Sequence, residues 1–294
     1  MTRAHRLLAG VLAAGALALT GCAQSVDPIE RLGRKAAEKA GERAHHAERE
    51  EPARPAGQAP PDERGEQRAP ASAHRRWGLS EPLAPAPRPP TRTQRAALHG
   101  APGAPGLSRV VDRVPTKDKV VFLTFDDGAE RDPRFVRMVR ELRLPVSMFL
   151  TDSVAGPGYA HFGRLRAVGA TVQNHTLDHP YLPGLSYAGQ RWEICGQQDK
   201  LKKRFGVRPT LFRPPYGEYN EDTLRAAAAC GIRSVITWRT STPAPAEGAS
   251  LHPGDIIRAH SHGPGGPLTD TTTHLLRHIQ SQGYTVARLE DYTG

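Results

Sequence analysis

The alternation of apolar runs with amphipathic segments between residue 109 and the C-terminus constrains the fold more than any other feature. The run VVFLTF at 120–125 is apolar almost throughout, as expected for a strand that is covered on both faces. The segment 132–143 then places apolar side chains at helical spacing, after an Asp-Pro pair that is typical of a helix start. Comparable strand and helix patterns repeat to the end of the chain.

Strands that alternate with helices pair in parallel through helical crossovers. The sequence therefore predicts an α/β fold, a distorted or incomplete (β/α) barrel of about seven units, with a doubly wound open sheet as the alternative. In both architectures, functional side chains collect at the carboxyl ends of the strands. The candidate residues at such positions are Asp126, Asp127, His175, Arg213, Trp238 and His260.

The stretch 22–108 has a different composition, rich in Ala, Pro, Arg and Glu and poor in Leu, Ile, Val and Phe. Such a segment buries too little apolar surface to offset the entropy lost on ordering. We therefore predict a disordered linker at 22–108 and a single folded domain at 109–294, which is an ordinary domain length.

The first 21 residues predict export. A short basic stretch precedes an apolar segment that is too short to span a membrane stably, and it ends in the sequence LTGC at 19–22. This ending resembles a bacterial lipobox, in which Cys22 becomes a lipidated N-terminus. The alternative is an ordinary signal peptide with an incidental cysteine. We expect a lipoprotein on the outer face of the cell membrane, or a secreted protein.

Charge and cysteine content argue against a nucleic-acid-binding protein and against a cysteine metal site. The net charge is +10, but the basic residues are spread along the chain and form no stripe interleaved with aromatics, so a nucleic-acid partner is not expected. Cys195 and Cys230 lie in predicted helices without a CxxC partner, which argues against a cysteine metal site. We favour two buried free thiols, and a disulfide is the alternative.

The adjacent carboxylates Asp126 and Asp127 would repel each other unless a cation lies nearby. His175 and His179, four residues apart, can present two imidazoles to one point, although such a pair is usually incidental. Two histidines and one carboxylate, with a further position open, form a common catalytic metal site. Adjacent strand residues point to opposite sides, so one carboxylate can bind the metal while the other acts as a base.

Four motifs together resemble the polysaccharide deacetylases that carry a NodB-homology domain: TFDDG at 124–128, HTLDH at 175–179, RPPYG at 213–217 and IIRAH at 256–260. The resemblance covers about 111–294. It implies a distorted (β/α) barrel and one divalent metal ion, with zinc expected and Co, Ni or Mn as alternatives. It also implies hydrolysis of N-acetyl groups on an acetamido-sugar polymer, for which peptidoglycan is favoured.

The resemblance also implies roles for individual residues. Asp127, His175 and His179 would be the metal ligands. Asp126 would be the general base, held in place by Arg213, and His260 the general acid. The backbone N–H of Tyr216 would bind the oxyanion of the tetrahedral intermediate. The residues implied in substrate binding are Pro215, Tyr216, Trp238 and Arg258.

Two departures from the family pattern affect this interpretation. No carboxylate follows Trp238, where the family has an aspartate that supports the arginine, and Arg258 replaces a leucine of the acetyl pocket. A guanidinium is costly to bury alone, so we expect Arg258 to face solvent or to pair with Asp178 or Asp127. These departures keep open a catalytically weakened or inactive polysaccharide-binding lipoprotein.

The other alternative is a non-haem iron oxygenase, which uses the same ligand types. Such sites usually lie on a double-stranded β-sheet scaffold, and the alternating βα pattern disfavours them. We expect the protein to be a monomer.

Overall fold

The computed structural model describes residues 72–99, 104–241, 250–259 and 267–293. The predicted signal segment, Cys22 and His260 lie outside these residues. Within the ranges described, no helix combines the length and the apolar character that crossing a bilayer requires.

A curved parallel sheet forms the centre of the domain. Its order is β1-β6-β5-β4-β3-β2-β8-β7, with β9 pairing to the start of β2, and each ladder between these strands is parallel. The predicted incomplete (β/α) barrel is thus confirmed. The strands are β1 Arg109–Val111, β2 Val120–Asp127, β3 Ser147–Leu150, β4 Thr171–Asn174, β5 Leu211–Phe212, β6 Ser234–Ile236, β7 Thr240–Ser241, β8 Ile256–Ala259 and β9 Thr285–Val286.

Helices cover the outer face of this sheet and close one end of its interior. Apolar side chains fill the space between the helices and the sheet, and a second cluster inside the barrel ends at Leu289 and Tyr292. The helices are α1 Ala73–Arg76, α2 Arg92–His99, α3 Pro133–Leu142, α4 Asp152–Ala155, α5 Tyr159–Ala167, α6 Tyr187–Phe205, α7 Glu221–Ala229, α8 Leu268–Ser281 and α9 Glu290–Thr293.

Helix α3 shows how local sequence sets these elements. The side chain of Asp132 caps the helix by accepting a 2.7 Å hydrogen bond from the N–H of Arg134, and Pro133 occupies the first turn, where its missing N–H costs nothing. The buried face carries Phe135, Met138, Val139 and Leu142, the stripe that the sequence predicts.

Residues 72–99 differ from the prediction of a disordered linker. The indole N–H of Trp77 donates a 2.9 Å hydrogen bond to Glu141 on α3, and Leu79 is buried in the main core. Further along, the side chain of His99 lies 2.7 Å from the carbonyl of Tyr292. A few side chains therefore bind this segment to the domain although its apolar content is low. An average over the composition of the segment does not detect them.

The cysteines also differ from expectation, because Cys195 and Cys230 form a disulfide. Cys195 lies on α6, and Cys230 directly follows α7, which packs against α6. The preference for two free thiols is therefore wrong. The sequence places both residues on or beside helices, but it does not show that these two helices are neighbours.

Candidate active site

The candidate polar residues converge at the carboxyl end of the sheet. Asp126 and Asp127 end β2, His175 follows β4 and Arg213 follows β5. The N–H of Arg213 donates a 2.9 Å hydrogen bond to the carbonyl of Asn174, which fixes the ends of β4 and β5 at the same level. The clustering expected from parallel strands is confirmed for these residues.

Asp127, His175 and His179 form a three-residue donor set. Oδ1 of Asp127 lies 3.5 Å from Nε2 of His175 and 3.4 Å from Nε2 of His179, and the three donor atoms all lie within 4.8 Å of one another. Nδ1 of His175 lies 2.7 Å from the carbonyl oxygen of Arg213. A proton on Nδ1 that donates to this carbonyl leaves the lone pair of Nε2 directed at the shared point.

This donor set fits a divalent metal ion. Oδ1 of Asp127 is buried and accepts no hydrogen bond from any residue that the structure describes, so a cation would satisfy it. Burial lowers the pKa of His175 below its usual value, against the pull of the neighbouring carboxylates, and the neutral imidazole is the form that binds metal. Two imidazoles and a carboxylate are the ligand types that zinc accepts at catalytic sites.

The loop that carries the two histidines is a tight turn and not a helix. Thr176 and His179 have left-handed backbone conformations, with φ of 75° and 57°. Oγ1 of Thr176 accepts a 3.0 Å hydrogen bond from the N–H of His179, and Oδ1 of Asn174 accepts one of 3.0 Å from the N–H of Thr176. These bonds fold the loop back on itself, so that both imidazoles face Asp127.

Glu193 on α6 fixes the same loop from behind. Its Oε2 accepts hydrogen bonds of 3.0 Å from the N–H groups of both Leu177 and Asp178, and its side chain is largely buried. Burial raises the pKa of Glu193, while the two N–H groups act in the opposite direction. Sequence reasoning missed this residue. The available signal was one carboxylate on the buried stripe of α6, beside Ile194 and Gln197.

Asp126 has the environment of an ionised carboxylate. Nη1 of Arg213 donates to its Oδ1 at 2.7 Å and to Oγ1 of Thr124 at 2.8 Å, and the Arg213 side chain is fully buried. Burial acts to raise the pKa of Asp126, but the charge of Arg213, with His175 and Arg258, holds it below its ordinary value. The expected pairing of Asp126 with Arg213 is confirmed.

Arg258 pairs with a different acid from the two that were expected. Its Nη1 lies 3.7 Å from Oδ2 of Asp126, and its guanidinium lies 4.0 Å from the ring centroid of Trp238. The expectation of Asp178 or Asp127 as the partner is therefore wrong. Arg258 pairs in register with Thr124, so both side chains point into the barrel on the side of Asp126.

The second terminal nitrogen of Arg213 has a different environment from the one that binds Asp126. Within the described part of the chain, Nη2 of Arg213 is buried and has no hydrogen-bond partner. Phe149 lies 4.2 Å from the guanidinium, measured to its ring centroid, and Trp238 lies 5.5 Å away. Aromatic faces thus cover part of the guanidinium.

The 213–217 motif forms the rim of the site. Pro215 is buried, whereas Tyr216 is exposed with φ of 61°, and its ring centroid lies 4.8 Å from that of His179. A Cβ on Gly217 would lie 3.0 Å from the indole of Trp238, so a glycine allows the loop to approach this ring. The structure thus brings together all the sequence-predicted site residues that it describes, and the role of His260 stays a prediction.

Comparison with known proteins agrees with this geometry. Residues 113–235 match the family model described as polysaccharide deacetylase. An uncharacterised protein of Streptomyces coelicolor, SCO4760, is 55% identical over 195 residues, which are 63% of this chain and 78% of that protein. A chitooligosaccharide deacetylase of Sinorhizobium fredii is 30% identical, over 55% of this chain and 81% of its own length.

A solved structure shares the fold. The Bc1960 peptidoglycan N-acetylglucosamine deacetylase superposes with a TM-score of 0.54 at 25% identity, over 63% of this chain and 92% of that one. The family model matches, and the similarity extends over 78% and 81% of the length of these two relatives. The chain therefore belongs to the polysaccharide deacetylase family.

Proposed function

We propose that the protein is a metal-dependent hydrolase that removes N-acetyl groups from acetamido sugars of a cell-surface polysaccharide, with peptidoglycan as the first candidate. One observation carries the proposal: the three donors Asp127, His175 and His179 meet beside a second carboxylate, Asp126, that two arginines keep ionised. An amide hydrolase needs these two elements, an electrophilic centre and a fixed base, side by side.

The bound metal, for which we propose zinc, would polarise the acetamide carbonyl and stabilise the negative charge that develops on its oxygen. Asp126 accepts a proton from the attacking water, and Arg213 holds the carboxylate in place through the 2.7 Å bond. The backbone N–H of Tyr216 is the proposed second donor to the oxyanion, an interaction that typically contributes about 10²–10³ in rate.

The leaving nitrogen departs as an amine only after it takes up a proton. We assign this proton to His260, because imidazole can donate one near neutral pH and the residue comes directly after β8 in the sequence. The last residue of β8, Ala259, pairs with Phe125, next to Asp126. The products are acetate and a polymer that carries a free amino group.

Aromatic side chains near the site suit a saccharide. Tyr181 follows the histidine loop, residues 175–179. Tyr216 lies on the 213–217 loop, and Tyr219 comes just after that loop. All three side chains are exposed. Aromatic faces that are exposed at the rim of a cleft can stack on sugar rings. Peptidoglycan is favoured over chitin-like polymers because an export signal with a lipid anchor on Cys22 would hold a monomeric enzyme at the cell wall.

Acetate release tests the proposal. The protein, loaded with Zn²⁺, is incubated with purified peptidoglycan and with N-acetylglucosamine oligosaccharides, and free acetate is measured. We expect release from at least one polymer, and none from the Asp126→Asn variant at equal metal content.

A binding protein without turnover is the second candidate, since two features depart from the family pattern: Arg258, and Nη2 of Arg213, which has no hydrogen-bond partner among the residues that the structure describes. Tight binding of the polymer with no acetate from any substrate would select that candidate and refute the hydrolase.

A further inference from the structure

Thr124 carries a buried hydroxyl that touches the arginine of the site. It lies two residues before Asp126 on β2, so both side chains project to the same face of the strand. The Thr124 side chain is completely buried. Its Oγ1 donates a 2.9 Å hydrogen bond to the carbonyl of Ile257 on β8, and it accepts one of 2.8 Å from Nη1 of Arg213.

The chemistry of the partners fixes the direction of these two bonds. A carbonyl oxygen can only accept, so the single proton of the Thr124 hydroxyl goes to Ile257, and its lone pairs remain for an N–H donor. A β-branched side chain has few rotamers, and the bond to the neighbouring strand selects one of them. Oγ1 of Thr124 is therefore an acceptor at a fixed place.

Nη1 of Arg213 carries two protons, and each has an acceptor. One N–H donates to Oγ1 of Thr124 at 2.8 Å, and the other donates to Oδ1 of Asp126 at 2.7 Å. Because the guanidinium is planar and rigid, the bond that fixes the first proton also fixes where the second one points. The bond to Thr124 thus sets the direction of the bond to Asp126.

The other contacts of Arg213 direct its N–H groups less closely. Nε lies 3.4 Å from the carbonyl oxygen of Ile236, which is long for a hydrogen bond, and Nη2 has no hydrogen-bond partner in the described part of the chain. The ring of Phe149 packs against the guanidinium, with its centroid 4.2 Å away, but accepts no N–H in a defined direction. Apart from the base itself, Thr124 is the closest hydrogen-bond partner of this guanidinium among the residues described.

We propose that Thr124 is a positioning residue, which orients Arg213 so that its second N–H holds the carboxylate of Asp126 toward the attacking water. This inference rests on the proposed deacetylase function and adds a residue to its machinery. Thr124 touches neither the three metal donors nor the substrate, and it acts through Arg213. Support from a hydroxyl on β2 would replace the carboxylate that the family pattern has after Trp238.

Variants of Thr124 test the proposal through steady-state acetate release at saturating Zn²⁺, with purified peptidoglycan and N-acetylglucosamine oligosaccharides as substrates. Thr124→Val keeps the size and the branching but has no hydroxyl, and Thr124→Ser keeps the hydroxyl. Thr124→Ala removes the hydroxyl without placing a methyl group beside the arginine, and it takes the place of Thr124→Val if that variant does not fold.

Thr293→Val is the matched control. The hydroxyl of Thr293 is buried and also donates a 2.9 Å hydrogen bond to a carbonyl, that of Leu289. Thr293 lies away from the site, because its own carbonyl accepts from Ser234, which begins β6. Bound zinc and the thermal unfolding of the metal-free protein are measured for every variant.

We expect Thr124→Val to lower kcat by roughly 10- to 100-fold, since a misplacement of about 1 Å can cost about 10²-fold in rate. KM and bound zinc should stay near the wild-type values, because Thr124 contacts neither the substrate nor the metal donors. Thr124→Ser should recover most of the rate, and Thr293→Val should match the wild type in kcat. A hydroxyl with a purely structural role would instead lower the unfolding temperature and leave kcat unchanged.

Other outcomes overturn the proposal. It is wrong if Thr124→Val, or Thr124→Ala in its place, keeps the wild-type kcat, or if Thr124→Ser loses as much as Thr124→Val. Loss of bound zinc in Thr124→Val would also refute it, because the end of β2 as a whole would then have moved.

If the wild type releases acetate from no substrate, the deacetylase proposal fails separately, and crystal structures of the metal-free proteins decide about Thr124. The hydrogen bond from Nη1 of Arg213 to Asp126 must then persist in the wild type and in Thr124→Ser. It must be lost in the variant without the hydroxyl, or the inference is wrong.

Discussion

Glu193 is the residue through which the histidine loop can be perturbed without touching a metal ligand. Its carboxylate accepts two hydrogen bonds of 3.0 Å from the N–H groups of Leu177 and Asp178, which lie between His175 and His179 in the sequence. A hydrogen bond to a charged group contributes about 1.5–3 kcal/mol. In Glu193→Ala, water can enter the loop and bind both N–H groups, so we take the lower end of this range for each bond. The two bonds together then give a loss of about 3 kcal/mol in the stability of the folded loop.

This loss should appear mainly as weaker metal binding. If the loop becomes mobile while the barrel stays folded, about 3 kcal/mol corresponds to a decrease in Zn²⁺ affinity on the order of 100-fold. Glu193→Gln retains an acceptor oxygen without the charge and should lose roughly 10-fold, about half the free energy. Zinc affinity is measured by calorimetry against a competing chelator, with thermal unfolding of the metal-free protein in parallel.

Lys203→Ala provides the control, because Lys203 is exposed on the same helix and its substitution should change neither quantity. The reasoning is refuted if Glu193→Ala binds zinc as tightly as the wild type. It is also refuted if Lys203→Ala weakens binding to the same extent, since the effect would then come from α6 as a whole.

Three further predictions follow from the site and its support. Asp126→Asn should retain zinc and lose activity, whereas Asp127→Asn should lose both, and equal zinc contents by metal analysis would contradict the division of roles. Arg213→Met removes the charge that lowers the pKa of Asp126 and leaves burial, which raises it. The acid limb of the kcat/KM profile should therefore move to higher pH at saturating zinc, and an unmoved limb would exclude Asp126 as the titrating base. The Cys195→Ser/Cys230→Ser variant opens a loop of 35 residues and should lose about 3.8 kcal/mol, roughly 10 °C in Tm. Reductant should lower the Tm of the wild type to that of the variant and leave the variant unchanged.

The strand ends and the motifs that follow them could be predicted from the sequence because each depends on local pattern. A continuous apolar run marks a central strand, and parallel pairing brings the residues after such runs to one edge. Asp126, His175 and Arg213 were found in this way. Ligand chemistry predicts that one of the two adjacent carboxylates joins both histidines, and the resemblance to the polysaccharide deacetylases assigns that role to Asp127.

The remaining features depend on contacts between distant segments. The partner of Arg258 is decided by the register of β8 against β2, which no single segment encodes. The disulfide and the role of Glu193 both require α6 to lie beside particular neighbours. The ordered part of 72–99 depends on a few side chains, chiefly Trp77 and Leu79, in a segment whose average composition favours disorder.

The left-handed residues around the site have a consequence for how the proposed metal ion would be exchanged. Of the five non-glycine residues with positive φ among those described, four are Asp127, Thr176, His179 and Tyr216. Each such conformation destabilises the folded loop by on the order of 1 kcal/mol. Because opening the loop releases this strain, the free energy of opening is lower than it would be without these residues. The histidine loop should therefore open as a small cooperative unit well below the free energy of global unfolding, and a bound ion should leave through this local opening while the barrel stays intact.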